Sequence, residues 1–321
     1  MAITKIPAAG FTGNNFRNIF INGDMSIAQR GTTSSSTGYQ TVDRWQLNTG
    51  TQQEQKTDTP NARFSNSFEV TGTTAGSSGY GICSQRIESK NVLPVLGQTC
   101  TLSAYVKNTG TSTVNVSVEV YRANSTDNFS GLTLLTSLTG QAITTSWNRI
   151  TFPSFTVTDA CATGLEVRIF RYDASNDQEW LLTGVQLEAG TTASDFEFLP
   201  YDVNLTRCQR YFYQAGTNLN GAGQVTFGTG QWYSASEVLY CIYAPTRMRV
   251  KPTSSTPTVT AGYRFHKAGS FTDVDSAGVM TDADNQILSI YKSGLGGGTG
   301  GQATFVVSQS SPAKIQFNAE L

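Results

Sequence analysis

CTLSAYVKNTGTSTVNVSVEVY, residues 100–121, alternates twice. Cys100, Leu102, Ala104 and Val106 fall on one side, and Thr101, Ser103, Tyr105 and Lys107 on the other. After a polar break, Val114, Val116, Val118 and Val120 again share a side. Successive side chains of an extended chain point to opposite faces, so period two marks strands with one buried face. The two runs predict an antiparallel hairpin turning at residues 108–112, and Gly110 suits that turn.

Outward from this hairpin, strand patterns occupy residues 147–152, 165–172 and 179–187. In the second half, residues 238–243 are apolar on both sides, which predicts a central strand covered on both faces. Residues 287–291 and 304–307 flank a glycine cluster, and Ile315, Phe317 and Ala319 form a last strand. There is no heptad, no repeat of fixed period and no long helical pattern. The predicted fold class is all-β, with two β-sandwich, jelly-roll-like domains and a short N-terminal arm.

The seam between the sandwiches falls in LLTGVQLEAGTTASDFEFLPYDVNLTRCQRYFY, residues 181–213. A strand ends at Gly190, Pro200 fixes a bend, and Asp202 is a plausible N-cap for one short helix. Tyr211, Phe212 and Tyr213 then begin a new strand. The expected domains are residues 1–42 (an arm and anchoring hairpin turning at Asn22-Gly23-Asp24), 43–200 and 201–321.

Only 14% of the 321 residues are charged, the net charge is −1, and Lys and Arg are scattered. Ordinary domains carry about 25% charged residues, and a phosphate-binding surface needs concentrated cations, so a nucleic-acid partner is excluded. No segment approaches the roughly 20 apolar residues of a membrane helix, and the start lacks the apolar core of a secretory signal. Cysteines at 83, 100, 161, 208 and 241 form no C-x-x-C pair and sit in apolar patterns, as buried free thiols do. A chain folded and assembled in a reducing cytoplasm fits these features.

Chemical constellations are sparse. Gly296, Gly298 and Gly301 match G-x-G-x-x-G, but strands lie on both sides where a dinucleotide site needs a following helix, so a flexible hairpin loop is expected. His266 is the only histidine and reads as a surface residue, which removes most Ser-His and Cys-His schemes. Asp282 and Asp284 lack the glycine and distal Glu of a calcium loop. Asp173, Asp177 and Glu179 cluster in a loop that admits a structural cation. No catalytic residue, cofactor site or metal site is assigned. Trp45, Trp147 and Trp180 are expected in the core. Tyr105, Tyr121 and Tyr172 fall opposite the valines, with Glu119 and Arg168, on a polar face. Those rings either pack under a loop or another subunit, or form a carbohydrate-binding patch.

Six stretches carry a family resemblance: residues 18–30 (NIFINGDMSIAQR), 39–45 (YQTVDRW), 185–190 (VQLEAG) with Pro200-Tyr201, 208–212 (CQRYF), 243–257 (YAPTRMRVKPTSSTP) and 315–321 (IQFNAEL). In this order they resemble bacteriophage tail-fibre and virion appendage structural proteins that carry a jelly-roll domain similar to carbohydrate-binding modules. The resemblance implies a non-enzymatic virion subunit in a fibre or appendage involved in host attachment. It also implies a homotrimer, with other virion proteins and a host-surface glycan as partners. The alternatives are a glycan-binding receptor module and a polysaccharide-degrading tail spike.

Overall fold

The computed structural model describes residues 16–72, 80–110, 114–172, 179–216, 225–256, 259–309 and 313–321. The chain divides into two compact units, residues 1–204 with Leu321, and residues 205–320. Both are built from antiparallel strands.

In the first unit the two alternating runs become the strands Thr99–Asn108 and Val114–Ser125, but these do not pair with each other. Thr99–Asn108 lies in a seven-stranded sheet, bonded to Glu179–Ala189 on one side and to Asn148–Thr151 and Phe155–Thr156 on the other. Val114–Ser125 lies in a five-stranded sheet between Leu165–Tyr172 and Asn128–Ile143. The expected hairpin is therefore a crossing between sheets. Period two reports only that one face is buried, and both sheets of a sandwich bury such a face against one core. Leu102, Ala104 and Val106 meet that core from one sheet, and Val116, Val118, Val120, Val167 and Ile169 from the other, all fully buried.

The expected arm differs as well. Residues 1–15 lie outside the described residues, but Ile19, Phe20, Met25 and Val42 belong to the same core as Trp45. Asn22-Gly23-Asp24 does turn, with Met25 N donating to Asn22 O at 3.1 Å, yet residues 16–32 contain no strand. A buried irregular backbone must find partners for its N–H and C=O groups. Here a bulge in Glu179–Ala189, between Thr183 and Gln186, frees them. Val185 N donates to Gly23 O at 2.9 Å, and Ile19 N donates to Leu187 O at 3.1 Å. Asn18 Nδ2 donates to Val185 O at 2.9 Å, and its Oδ1 accepts from Leu187 N at 3.1 Å. A side chain at Gly23 would collide with the Val185 carbonyl. Asn22 Nδ2 reaches both Ile27 O and Asp43 O at 2.9 Å, and Trp45 Nε1 donates to Asn22 O at 3.0 Å.

The helix Tyr201–Gln209 straddles the division between the units. The second unit has a seven-stranded sheet in the order Ser270–Val274, Tyr263–Lys267, Ala303–Ser308, Thr226–Ser234, Glu237–Tyr243, Ile287–Lys292, Val279–Ala283. A three-stranded sheet, Phe212–Ala215, Ile315–Asn318 and Thr253–Ser255, contributes to the same core, in which Trp232, Tyr240, Phe265 and Phe317 are fully buried. Glu237–Tyr243 is central, as read, but covered on one face only. Val238, Tyr240 and Ile242 are buried, whereas Leu239 and Cys241 are half-buried and Tyr243 is exposed. The glycine cluster does lie between strands, and parts of it are held in place. Gly298 sits against the Trp232 indole where a Cβ would collide, and Gly298 N and Gly301 N donate to Ala235 O and Trp232 O at 3.1 and 2.8 Å. All five cysteines are free thiols, Cys241 half-buried and the rest buried.

Val118→Asp places an unpaired charge in the first core and is expected to cost roughly 3–5 kcal/mol of unfolding free energy. Asn22→Ala strands the Ile27 and Asp43 carbonyls and is expected to cost about 2–4 kcal/mol. Asn115→Ala, exposed on the far side of the valine strand, stays within about 0.5 kcal/mol. Urea denaturation of the three variants checks the strand phase and the role of the amide together.

Candidate functional site

Arg168, Glu119 and Tyr121 meet on the outer face of the five-stranded sheet. Leu165, Val167 and Ile169 turn inward along their strand, which leaves Glu166 and Arg168 on the outward side. Strand register sets Arg168 opposite Glu119 and Glu166 opposite Tyr121. The Arg168 guanidinium lies over the Tyr121 ring, 4.4 Å from its centroid, and the Tyr121 hydroxyl donates to Glu119 at 2.6 Å. Arg168 Nε donates to one Glu166 oxygen at 2.6 Å, and Arg86 Nε, from the neighbouring strand, donates to the other at 2.9 Å.

The result is an electrically balanced row of two arginines, two carboxylates and a ring. Glu166 is fully buried beneath it, while the two arginines keep 25% and 29% of their side chains exposed. A carboxylate shut from water is tolerable only with such partners. Burial, then the bond to Glu119, pushes the Tyr121 hydroxyl above its usual pKa, so it remains a proton donor at neutral pH. Among the described residues, Arg168 spends only Nε on the protein, and one Glu119 oxygen is unspent. Fixed, planar, hydrogen-bonding groups beside an aromatic ring are suited to polyhydroxylated ligands.

Tyr105 does not join them. It stands on the outer face of the seven-stranded sheet, opposite Arg149 and Thr183. Its ring is 5.3 Å from Phe64, which in turn lies 5.4 and 4.8 Å from Phe196 and Phe198. The chain after Gly190 folds back to make this cover. Ser194 N and Oγ donate to Glu188 at 2.8 and 2.5 Å, Glu197 N donates to Gln186 Oε1 at 2.8 Å, and Arg149 holds the Ser194 carbonyl. The bulge contributes too, because Gly184 (φ +58°) lies directly against the Tyr105 and Phe64 rings. The single polar face drawn through Tyr105 and Tyr121 is thus two faces on two sheets. Ser103 and Thr101, outward by alternation, are buried by the same cover.

Tyr172 extends the Arg168 strand, pairing with Asn115 and Tyr80, but its side chain lies outside the described residues. So do residues 173–178 of the loop considered for a cation. Among the described residues no cluster of three or more His, Cys, Asp or Glu could hold a metal ion. Trp45 and Trp180 are core residues, but Trp147 is half-buried at the surface and donates from Nε1 to Asp58 at 2.8 Å. Burial would raise the Asp58 pKa, but hydrogen bonds from Lys107 and Trp147 hold it below the usual value.

Glu166 and Arg86 were missed by the sequence reading. Alternation places Glu166 outward and hence apparently in solvent, while its partner Arg86 is 80 positions away. Only the register between strands brings the two together.

No protein-family model matches the chain, and no curated protein sequence is similar to it. Solved structures are distantly similar. The CBM22-1 xylan-binding domain of Paenibacillus barcinonensis Xyn10C is 14% identical with a TM-score of 0.34, over 50% of this chain and 94% of that one. A putative sugar-binding protein of Bacteroides thetaiotaomicron is 14% identical with a TM-score of 0.37, over 54% and 100%. The enzymatically active domain of tailspike protein 4 from bacteriophage CBA120 is 15% identical with a TM-score of 0.35, over 54% of this chain and 22% of that one. At this distance the fold rests on the strand pairing described above.

Tyr105→Ala opens a gap beneath Phe64 and is expected to lower stability by roughly 2–3 kcal/mol. Glu166→Ala leaves Arg86 and Arg168 without their shared carboxylate and is expected to cost about 3 kcal/mol. Thermal unfolding of both variants, with Asn115→Ala as the neutral reference, checks these values.

Proposed function

We propose that the chain is a non-enzymatic structural subunit of a bacteriophage virion appendage, and that it holds host-surface glycan on the Tyr121–Glu119–Arg168 row. The observation that carries the glycan reading is the locked geometry of Arg168 over Tyr121, with Glu119 fixed by the tyrosine hydroxyl. Groups immobilised before binding lose little entropy on contact. The virion setting, with other virion proteins as partners, is supported by the six ordered stretches that resemble appendage proteins and by the sparse charge.

The non-catalytic reading is supported by what the two carboxylates of this row are doing. Glycoside hydrolysis needs two opposed carboxyl groups across a cleft. Here Glu166 is buried under two arginines and Glu119 accepts from Tyr121, so neither is placed as a free acid or nucleophile.

The homotrimer implied by the resemblance is assigned to the bare side of the second unit's large sheet. Tyr243, Ile287 and Val279 are 66%, 42% and 64% exposed there on adjoining strands.

On a glycan array, full-length protein is expected to bind, and Glu119→Ala and Tyr121→Ala to weaken binding about tenfold with little change in melting temperature. A blank array, or binding indifferent to both substitutions, defeats the glycan reading. Light scattering is expected to give three times the 34.5 kDa chain mass, falling toward one in Tyr243→Asp. A wild-type monomer at micromolar concentration removes the trimer.

A further inference from the structure

The second unit carries a separate recess that the reading above does not use. Seven of the ten large hydrophobic residues exposed among the described residues lie in residues 205–320, so this unit leaves unusual apolar surface bare. Toward the Ser270–Val274 edge, the large sheet's outer side holds a depression of about 570 Å³. That volume is in the range of small-molecule sites, about 300–1,000 Å³.

Phe305 forms one wall, with 43% of its surface exposed. The His266 ring stacks behind it at a centroid distance of 3.9 Å and an interplanar angle of 15°. His266 is itself fixed, because its carbonyl accepts from Trp232 Nε1 at 3.0 Å and from Thr304 Oγ1 at 2.6 Å. On the other side of Phe305 the register places Thr229, and Gly230 and Ala303 also line the recess.

The lining is polar but uncharged in effect. Lys267 Nζ is occupied by Gly296 O at 2.7 Å and Thr272 Oγ1 at 3.2 Å. Nearby Arg264 is held by both oxygens of Asp273 at 2.7 and 2.8 Å. Burial, then the charge of Arg264, lowers the His266 pKa against a smaller opposing pull from Asp273, so the imidazole is neutral at neutral pH. By contrast, the Gln302 amide and the Thr229 hydroxyl line the recess without a hydrogen-bonding partner from the described residues. An anion would find no unspent cation here, and a wholly apolar ligand would bury the Gln302 amide unpaired.

We propose that this depression binds a neutral saccharide, one ring of which lies with its C–H face on Phe305 and its hydroxyls on Gln302 and Thr229. It is independent of the row on the first unit, so Arg168→Ala should leave it unchanged.

Because His266 is the chain's only histidine, its imidazole resonances report this site without ambiguity in the full-length protein. Methyl α-glucoside, methyl β-galactoside and methyl α-mannoside would each be titrated against histidine-labelled protein, with methyl β-glucuronide as the charged counterpart. At least one neutral hexoside is expected to shift the imidazole signals saturably at millimolar concentration. Phe305→Ala and Gln302→Ala should each weaken that shift about tenfold while the melting temperature holds. The proposal is overturned if no neutral hexoside moves the signals, or if the glucuronide alone does. It is overturned equally if both variants bind like the parent, or if dilution without sugar reproduces the shift, since copies of the chain would then occupy the recess.

Discussion

Hydrogen-bond satisfaction of buried irregular backbone is the constraint on which the first unit depends. Residues 18–27 run through the core without forming a strand, so their peptide groups need partners that neither a ladder nor water supplies. Side-chain amides provide them. Asn18 bonds both sides of the bulge at Val185, Asn22 bridges Ile27 and Asp43, and Gln85 brackets Ile21 with two bonds of 2.8 Å. The bulge that admits this segment also sets Gly184 beneath Tyr105, so one irregularity shapes the inside and the outside of the same sheet. The second unit solves a similar problem with a guanidinium. Arg249 donates to the carbonyls of Ala319 and Glu320 at 2.8 and 2.9 Å, its own N donates to Arg210 O, and Ala319 N donates to Tyr211 O.

The six stretches singled out in the sequence are the stretches that do this work. Residues 18–30 meet residues 185–190 at the bulge and residues 39–45 through Asn22, and the stretches 208–212, 243–257 and 315–321 meet around Arg249. None of them supplies Glu119, Arg168, Phe305 or Gln302. These stretches therefore close the backbone, and ligand chemistry has to be argued from the outward strand positions.

The legible part of the fold follows the same division. Strand existence and phase were readable wherever one face is buried, because Val114 to Val120 and Leu165 to Ile169 alternate without interruption. Pairing was not readable, since an inward valine looks the same from either sheet. The Thr99–Asn108 and Val114–Ser125 strands accordingly looked like one hairpin while belonging to opposite layers. Glu119, Arg168 and Tyr121 were legible as neighbours because alternation sets their side and register then aligns them. Glu166 and Arg86 were not, and neither was the cover over Tyr105, which comes from Phe64 and from the segment after Gly190 that reads only as the seam between the sandwiches. Trp147 was misassigned because it stands just before the strand Asn148–Thr151, where alternation no longer fixes the side a ring takes.

This separation has a physical consequence for specificity. On the five-stranded sheet, Arg168 and Glu119 are bonded to other outward groups, whereas the adjacent Val118, Val167 and Ile169 carry the core. Changes confined to the outward positions alter hydrogen-bonding pattern without opening a cavity, and surface changes of that kind usually cost under about 0.5 kcal/mol. Glu166 is the exception, because its burial couples Arg86 and Arg168 to one carboxylate. The row is then anchored at Glu166 and free to vary at Glu119 and Tyr121. One buried charge thus fixes the frame of this face, and the half-buried groups around it carry its outward hydrogen bonds.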